Sequence, residues 1–160
     1  MNAVTRDRRN ASASCRVPSS GSRIRRGVPS DAPALVPLVL SGTFHAPLSG
    51  VAQEAELSVR AGGRVVDRRS GSLLWTHFGV SGPVVLDASR TWVANPGAIV
   101  RLGVFPGEPF DGVERWLLEE RRAIGNALAD RLPARVAETL ARHVGVDPQA
   151  RAARIPREER

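Results

Sequence analysis

The chain has 160 residues, which is room for one domain or for one domain with a small appendage. Its formal charge of +7 belongs almost entirely to residues 1–30, where seven arginines accompany one acid, because residues 31–160 carry sixteen arginines and fifteen acids. One cysteine excludes an internal disulfide framework and a multi-cysteine zinc site, and no apolar run approaches the ~20 residues of a membrane span.

Residues 1–30 are rich in arginine, serine and glycine and poor in large apolar side chains. Such a segment cannot bury enough surface to offset the entropy lost on ordering, so we predict a disordered tail. It also lacks the apolar core of a secretory signal, and we therefore expect a cytoplasmic protein. A nucleic-acid-binding arm is the functional alternative, but no aromatic residue stands among the arginines to stack on bases.

Short strands are predicted from residue 31 onwards. An apolar run at residues 33–40 contains Pro37, which has no N–H group and therefore favours an edge or irregular strand over a central one. The next strand is predicted at residues 54–60, where apolar and polar side chains alternate. Its inward positions are Ala55, Leu57 and Val59.

A tight hairpin is predicted next, because Gly62 and Gly63 supply the positive-φ residues of a two-residue turn. The return strand is expected at residues 64–69, a third pass begins at residues 73–75, and a later strand covers residues 99–105. Strands this short and this closely spaced predict a small, mostly antiparallel sheet or barrel.

The last third of the chain is predicted to be helical. Asp111 is a good N-cap for a first helix, and Gly125 is expected to end it. A further helix begins at Pro133 and stops at Gly145. The sequence thus predicts an α+β fold with a disordered N-terminal tail (residues 1–30), a small β-barrel-like subdomain (residues 31–106) and a small helical subdomain (residues 107–160).

The segment at residues 71–86 combines the atoms from which binding sites are built. It is typical of a buried strand, a tight polar turn and the start of a helix. Ser81 or Gly82 is expected to cap that helix, whose free N–H groups would attract an anion. Thr76 and His77 lie just upstream, and the imidazole is a candidate hydrogen-bond donor or proton carrier. The alternative is that both side chains only satisfy the backbone of the turn.

Other kinds of chemistry are disfavoured because their motifs are missing. The sequence has no G-x-G-x-x-G and no G-x-x-x-x-G-K-[ST] segment, so no loop for a nucleotide phosphate is encoded. Residues 79–83 depart from the G-x-S-x-G nucleophile elbow at Pro83, which disfavours a serine hydrolase. No metal site is expected, since the three histidines share no metal-ligand spacing. They are His45, His77 and His143.

Residues 73–86, LLWTHFGVSGPVVL, resemble the L-L-F-T-H-x-G-L-S-G-P-A-x-L segment of the BaiN/RdsA-type flavoproteins. These are NAD(P)/FAD-dependent oxidoreductases, also described as aminoacetone-oxidase-like FAD-binding enzymes. Trp75 stands where the family has Phe. Residues 33–38 (PALVPL) and 48–51 (LSGV) resemble two further segments of the family, and residues 102–146 are similar to its strand and following helices.

The resemblance implies that the chain corresponds to an insert, or substrate-covering, domain of a flavin-dependent enzyme. FAD is expected for the full-length family, but the glycine-rich halves of the flavin-binding domain have no counterpart here. We therefore interpret the chain as a fragment that binds no cofactor and has no activity alone. The resemblance implies a small-molecule substrate in the full-length context, a separately encoded FAD-binding part as a partner, and no membrane. The substrate-binding residues it implies are Thr76, His77, Gly79, Ser81 and Gly82, with His77 the catalytic candidate.

A stand-alone interaction module is the alternative function. In that case the basic arm at residues 1–30 would bind nucleic acid or another acidic partner. Nucleic acid is the less favoured partner, because the rest of the chain is nearly neutral. A non-functional gene remnant is the third interpretation.

Overall fold

The structure is a computed structural model that describes the backbone of residues 14–15 and all of residues 35–155. Its strands and α-helices are β1 (Ser14–Cys15), β2 (Leu38–Val39), β3 (Ala52–Ala61), β4 (Arg64–Thr76), β5 (Gly79–Ser81), α1 (Pro83–Ala94), β6 (Ile99–Gly103), α2 (Phe110–Glu119), α3 (Ile124–Ala129) and α4 (Ala134–His143). Short 3-10 helices cover Ala46–Leu48 and Ala152–Arg154. In the described part of the chain, no helix is long and apolar enough to cross a bilayer.

All six strands belong to one sheet with the order β1-β6-β3-β4-β5-β2, and every neighbouring pair is antiparallel. The sheet forms a half-barrel, and three of the α-helices follow it in the chain. The predicted α+β fold, with a barrel-like sheet followed by helices, is therefore confirmed. The predicted disordered tail lies outside the described residues, apart from β1, whose backbone pairs with β6.

The long hairpin of β3 and β4 is the centre of the sheet. Its turn is formed by Gly62 and Gly63, with φ angles of 55° and 78°, as the Gly-Gly pair predicts. The alternation of β3 is also confirmed, because its predicted inward residues are buried. The return strand is one continuous strand of 13 residues, not two short passes. The ladder with β3 continues through the exposed polar residues of β4, and a bulge at Val59 and Arg60 shifts its register.

The helix α1 covers the inner face of this hairpin. Val84, Val85 and Ala88 are buried, and Val84 packs next to Gly71 of β4. Close packing of this kind places the main core between α1 and the sheet. Near the far end of the helix, the hydroxyl of Thr91 donates a hydrogen bond of 2.7 Å to Asp67 of β4.

The helices after β6 begin and end at other residues than the sequence predicts. Helix α2 begins one residue before Asp111, with Pro109 at its N-cap, so Asp111 lies in the first turn and makes no capping hydrogen bond. It stops at Glu119, and Gly125 lies inside α3 rather than at a helix end. The physical reason is tertiary: a Cβ at Gly125 would lie 3.0 Å from the carbonyl oxygen of Pro148, so the glycine permits close packing there.

The helical part shares a hydrophobic core with the sheet. Leu48 is fully buried, and buried residues of the sheet and of α4 belong to the same cluster. Arg135 of α4 also donates a hydrogen bond to the carbonyl oxygen of Ser49. The subdomain boundary predicted at residue 106 stays a prediction. Hydrophobic packing between the sheet and the helices continues across this position.

The connection between α2 and α3 is held by Glu120. Its carboxylate accepts hydrogen bonds of 2.7 and 3.0 Å from the guanidinium of Arg122 and one of 2.9 Å from the backbone N–H of the same residue. These hydrogen bonds lower the pKa of Glu120 from its ordinary value of 4.5 to about 2. A carboxylate with a lowered pKa stabilises the folded state above its unfolded pKa, and this contribution is lost as the pH falls from 4.5 towards 2.

We therefore expect acid to weaken the wild-type chain more than Glu120→Gln. The measurement is the urea midpoint of each protein by circular dichroism at about pH 6 and about pH 3, two values that span most of this window. Equal losses of stability in the two proteins would show that Glu120 titrates alike in the folded and unfolded states.

Candidate functional site

The segment that the sequence singles out forms a hairpin before it forms a helix. Strand β4 ends at Thr76, the turn contains only His77 and Phe78, and the short strand β5 follows. The sequence predicts a strand, a turn and then a helix, whereas the structure has the short strand β5 between the turn and the helix. Thr76 lies opposite Gly79 and Leu74 lies opposite Ser81 across the hairpin.

The hairpin brings three of the predicted residues to one face. Side chains of a strand alternate between faces, and Trp75 and Val80 occupy the buried face. Thr76 and Ser81 therefore share the opposite face and are half-buried there. Their neighbour Gly79 lies on the same side of the sheet as Thr76.

His77 lies at the tip of this hairpin and is exposed. Its ring meets the ring of Phe78 edge to face, with centroids 5.0 Å apart. An exposed imidazole at a turn can reach a molecule bound above the hairpin and can exchange protons with it. The structure thus places His77 apart from Gly82, which lies beyond β5 at the start of α1.

The two glycines of the segment are closely covered by backbone. A Cβ at Gly79 would lie 2.1 Å from the carbonyl oxygen of Leu38, so strand β2 occupies its open side. A Cβ at Gly82 would lie 2.8 Å from the carbonyl oxygen of Ser72 on β4. Both glycines have positive φ angles, of 154° and 99°. Both glycines therefore allow the neighbouring strands and the helix α1 to approach closely.

The N-terminus of α1 does not fit the diphosphate of a dinucleotide such as FAD. Such a group needs several free N–H groups at the start of a helix that follows a strand of a parallel sheet. Here β5 is antiparallel to both neighbours. The carbonyl of Gly82 accepts hydrogen bonds of 3.0 Å from the N–H groups of Val85 and Leu86, and Pro83 has no N–H group. The first turn therefore offers few donors.

His45 is a buried residue of this region to which the sequence assigns no role. It is 5% exposed, and its Nε2 atom donates a hydrogen bond of 3.1 Å to the carbonyl oxygen of His77. A carbonyl can only accept, so Nε2 carries the proton of this hydrogen bond, and Nδ1 is buried without a partner. This bond ties the loop before β3 to the tip of the hairpin.

Buried polar atoms without partners gather at the same end of the sheet. Within the described residues, such side-chain atoms occur in four residues, namely His45, Gln53, Trp75 and Thr76. Each unpaired buried group costs about 1–3 kcal/mol, and native proteins retain few of them. Gln53 and Trp75 lie on one face of the β3–β4 hairpin, and Thr76 lies on the opposite face.

Gln53 is a second buried residue to which the sequence assigns no role. It is 8% exposed, and both its Nε2 and its Oε1 atoms are buried without a hydrogen-bond partner. The alternation of β3, continued two residues back from Ala55, places it on the inward face. A polar side chain at an inward position was thus the signal that could have found it.

Gln53 is one of the lining residues of a cleft between the sheet and the helical part, with a volume of about 500 Å³. The other walls come from residues 104–108 and 129–133. The described residues contain no cluster of three or more His, Cys, Asp or Glu side chains that could hold a metal ion.

Comparison with known proteins agrees with this architecture. Residues 32–160 match the family model described as HI0933-like protein barrel and H2TH domain. The ribosomal RNA dihydrouridine synthase of Escherichia coli strain K12 is 36% identical to the chain over 111 residues, which cover 61% of this chain and 25% of that protein. The chain thus spans about a quarter of the length of the curated relative it matches.

Proposed function

Because the chain belongs to the HI0933-like family, whose full-length members are FAD-dependent, we propose that it is the substrate-covering domain of a flavin-dependent oxidoreductase. The observation that carries the proposal is the family match, which includes the entire sheet from β2 onwards and all four α-helices. The similarity to a ribosomal RNA dihydrouridine synthase favours a uridine of RNA as the substrate of the complete enzyme.

The domain would contribute a surface for the substrate and not the flavin site. The first turn of α1 does not fit the diphosphate of FAD, and the sequence has no G-x-G-x-x-G segment. A separate FAD-binding part is therefore the proposed partner. When bound there, reduced FAD would supply the hydride that saturates the uracil ring, and the chain alone would be inactive.

The hairpin tip would then face the substrate. His77 is exposed and is the candidate donor of the proton that accompanies the hydride. Thr76 and Ser81 share the adjoining face, and the buried hydroxyl of Thr76 has no protein partner. Gly79 and Gly82 would act by holding this face against β2 and β4.

The test is a chimera in which residues 32–160 replace the matching region of the E. coli enzyme. We expect the chimera to bind FAD and to form dihydrouridine in ribosomal RNA, measured by mass spectrometry of the digested nucleosides. We expect the isolated chain to show no flavin absorbance after incubation with FAD and gel filtration. A chimera that folds and binds FAD but forms no dihydrouridine would refute the proposed substrate.

A variant of the chimera tests the role of the hairpin tip. We expect His77→Ala to lower the rate of dihydrouridine formation by about 10²-fold, the smaller end of the range for a general acid. The matched control is His143→Ala, which removes another exposed imidazole at the end of α4. Unchanged kinetics in His77→Ala would show that this imidazole carries no catalytic proton.

A further inference from the structure

The cleft beside Gln53 has the features of a second ligand site, and no residue of the hairpin tip lines it. It is lined by the start of β3, by residues 104–108 after β6 and by residues 129–133 between α3 and α4. Its volume of about 500 Å³ lies within the usual range of about 300–1,000 Å³ for small-molecule sites.

The amide of Gln53 is the first indication of what this cleft binds. The residue is more than nine-tenths buried, yet neither its N–H₂ donor nor its carbonyl acceptor has a partner. A primary amide presents one donor and one acceptor side by side. Its natural complement is therefore a planar group that presents an acceptor and a donor side by side, on two atoms bonded to the same carbon.

Arg131 supplies a flat wall of the same cleft. Its guanidinium lies 4.6 Å from the ring centroid of Trp116 and 5.0 Å from that of Phe105, and it forms an ion pair with Glu108. These three partners fix the orientation of the guanidinium. Single-stranded nucleic acids are commonly bound by stacking of their bases on aromatic rings and on arginine planes.

The charges around the cleft select against a phosphate. Glu54, Glu108 and Asp130 line it with Arg131 as the single cation. Arg131 is already paired with Glu108, and Asp130 pairs with Arg122 nearby. The cleft thus suits the neutral base of a nucleotide and leaves the phosphate outside.

We propose that this cleft binds a uracil base of the substrate RNA. The Nε2 group of Gln53 donates to the O4 carbonyl of uracil, its Oε1 atom accepts from N3–H, and the guanidinium plane of Arg131 stacks on the ring. The choice of uracil among the bases rests on the proposed function, whereas the need for a planar donor–acceptor edge rests on Gln53 alone.

The experiment is a titration of the full 160-residue chain with uridine, followed by NMR chemical shifts or calorimetry. We expect saturable binding of uridine and at least ~10-fold weaker binding of 3-methyluridine, which lacks the N3–H donor. Dihydrouridine keeps that edge but has a puckered ring, so we expect it to bind more weakly than uridine. Uridine monophosphate should bind no more tightly than uridine, because of the carboxylates.

Two glutamine variants separate recognition from folding. Gln53→Leu removes both unpaired atoms at similar volume, so we expect a Tm that is unchanged or higher by about 2–4 °C and uridine binding at least ~10-fold weaker. Gln149→Leu changes the other glutamine of the chain, which is exposed, and should leave both quantities unchanged. Equal binding of uridine by wild type and Gln53→Leu, or no binding by wild type, would overturn the proposal.

The uridine titration and the chimera assay test the base site and the proposed function separately. If the chimera forms dihydrouridine while the chain binds uridine and 3-methyluridine equally, the proposed function stands and the base site is wrong. If uridine binding depends on Gln53 while the chimera is inactive, the base site stands and the proposed enzyme function is wrong.

Discussion

Gly79→Ala is expected to destabilise the fold by about 3 kcal/mol or more, because overpacking and backbone strain act together at this position. A Cβ there would lie 2.1 Å from the carbonyl oxygen of Leu38 and 2.8 Å from the backbone nitrogen of Leu40. Both atoms belong to the backbone around β2, which no side-chain rotation can move. The φ angle of 154° adds strain for any residue with a side chain.

The expected mechanism is loss of the edge strand. Leu40 donates a backbone hydrogen bond of 3.0 Å to the carbonyl oxygen of Phe78, next to the substituted glycine. We expect urea unfolding to show the loss of stability and amide hydrogen exchange at Leu40 to accelerate strongly. The matched control is Gly97→Ala, whose φ of 83° is also positive but whose Cβ would meet nothing within 4 Å. It should cost about 1–2 kcal/mol, from backbone strain alone. Equal costs in the two variants would show that β2 yields without penalty.

Trp75→Ala is expected to cost about 3–5 kcal/mol, the usual loss for a large aromatic residue of the core. Trp75 is 1% exposed, and its ring meets that of Phe44 edge to face with centroids 5.7 Å apart. Its backbone also pairs with Gly50 and Val51, so the side chain is held where the loop before β3 meets β4. The measurement is urea unfolding by far-UV circular dichroism, which does not depend on the removed indole.

Trp75→Phe should cost under about 1.5 kcal/mol, within the range of mild core substitutions. The indole N–H of Trp75 is buried without a partner, so its removal relieves an unsatisfied donor and offsets the lost contact area. The matched control is Trp92→Phe, where the lost N–H donates a 3.1 Å hydrogen bond to the carbonyl oxygen of Ala98. We expect the control to cost more, although Trp92 is less buried. A larger loss of stability in Trp75→Phe than in Trp92→Phe would show that buried contact area outweighs the hydrogen bond.

The pattern of side chains predicted the local structure of the sheet well. The Gly62-Gly63 turn and the buried face of β3 follow from backbone freedom and from the two-residue period of a strand, which are properties of neighbouring residues. The start of α1 at Pro83, with Gly82 at its N-cap, was predictable for the same reason. The resemblance of residues 73–86 to flavoproteins was likewise visible in the sequence, and the family match confirms it.

The candidate site was only partly predictable. Thr76, His77 and Ser81 were identified by residue type and order, and their roles stay predictions. The short strand β5 was not foreseen, because three residues form a strand only when neighbouring strands pair with them. His45 lies 32 residues before its partner His77, and no local pattern links the two.

The sequence by itself determined the family, through the similarity of its segments to known proteins. It also determined the α+β class, the main hairpin and the start of α1, because these follow from the side-chain patterns of neighbouring residues. Only the tertiary structure decided where Gly79 and Gly125 meet backbone from distant segments, and that Gln53 faces the same cleft as Arg131. The reason is physical: burial, close approach and the absence of a hydrogen-bond partner depend on segments that are far apart in the chain and adjacent only after folding.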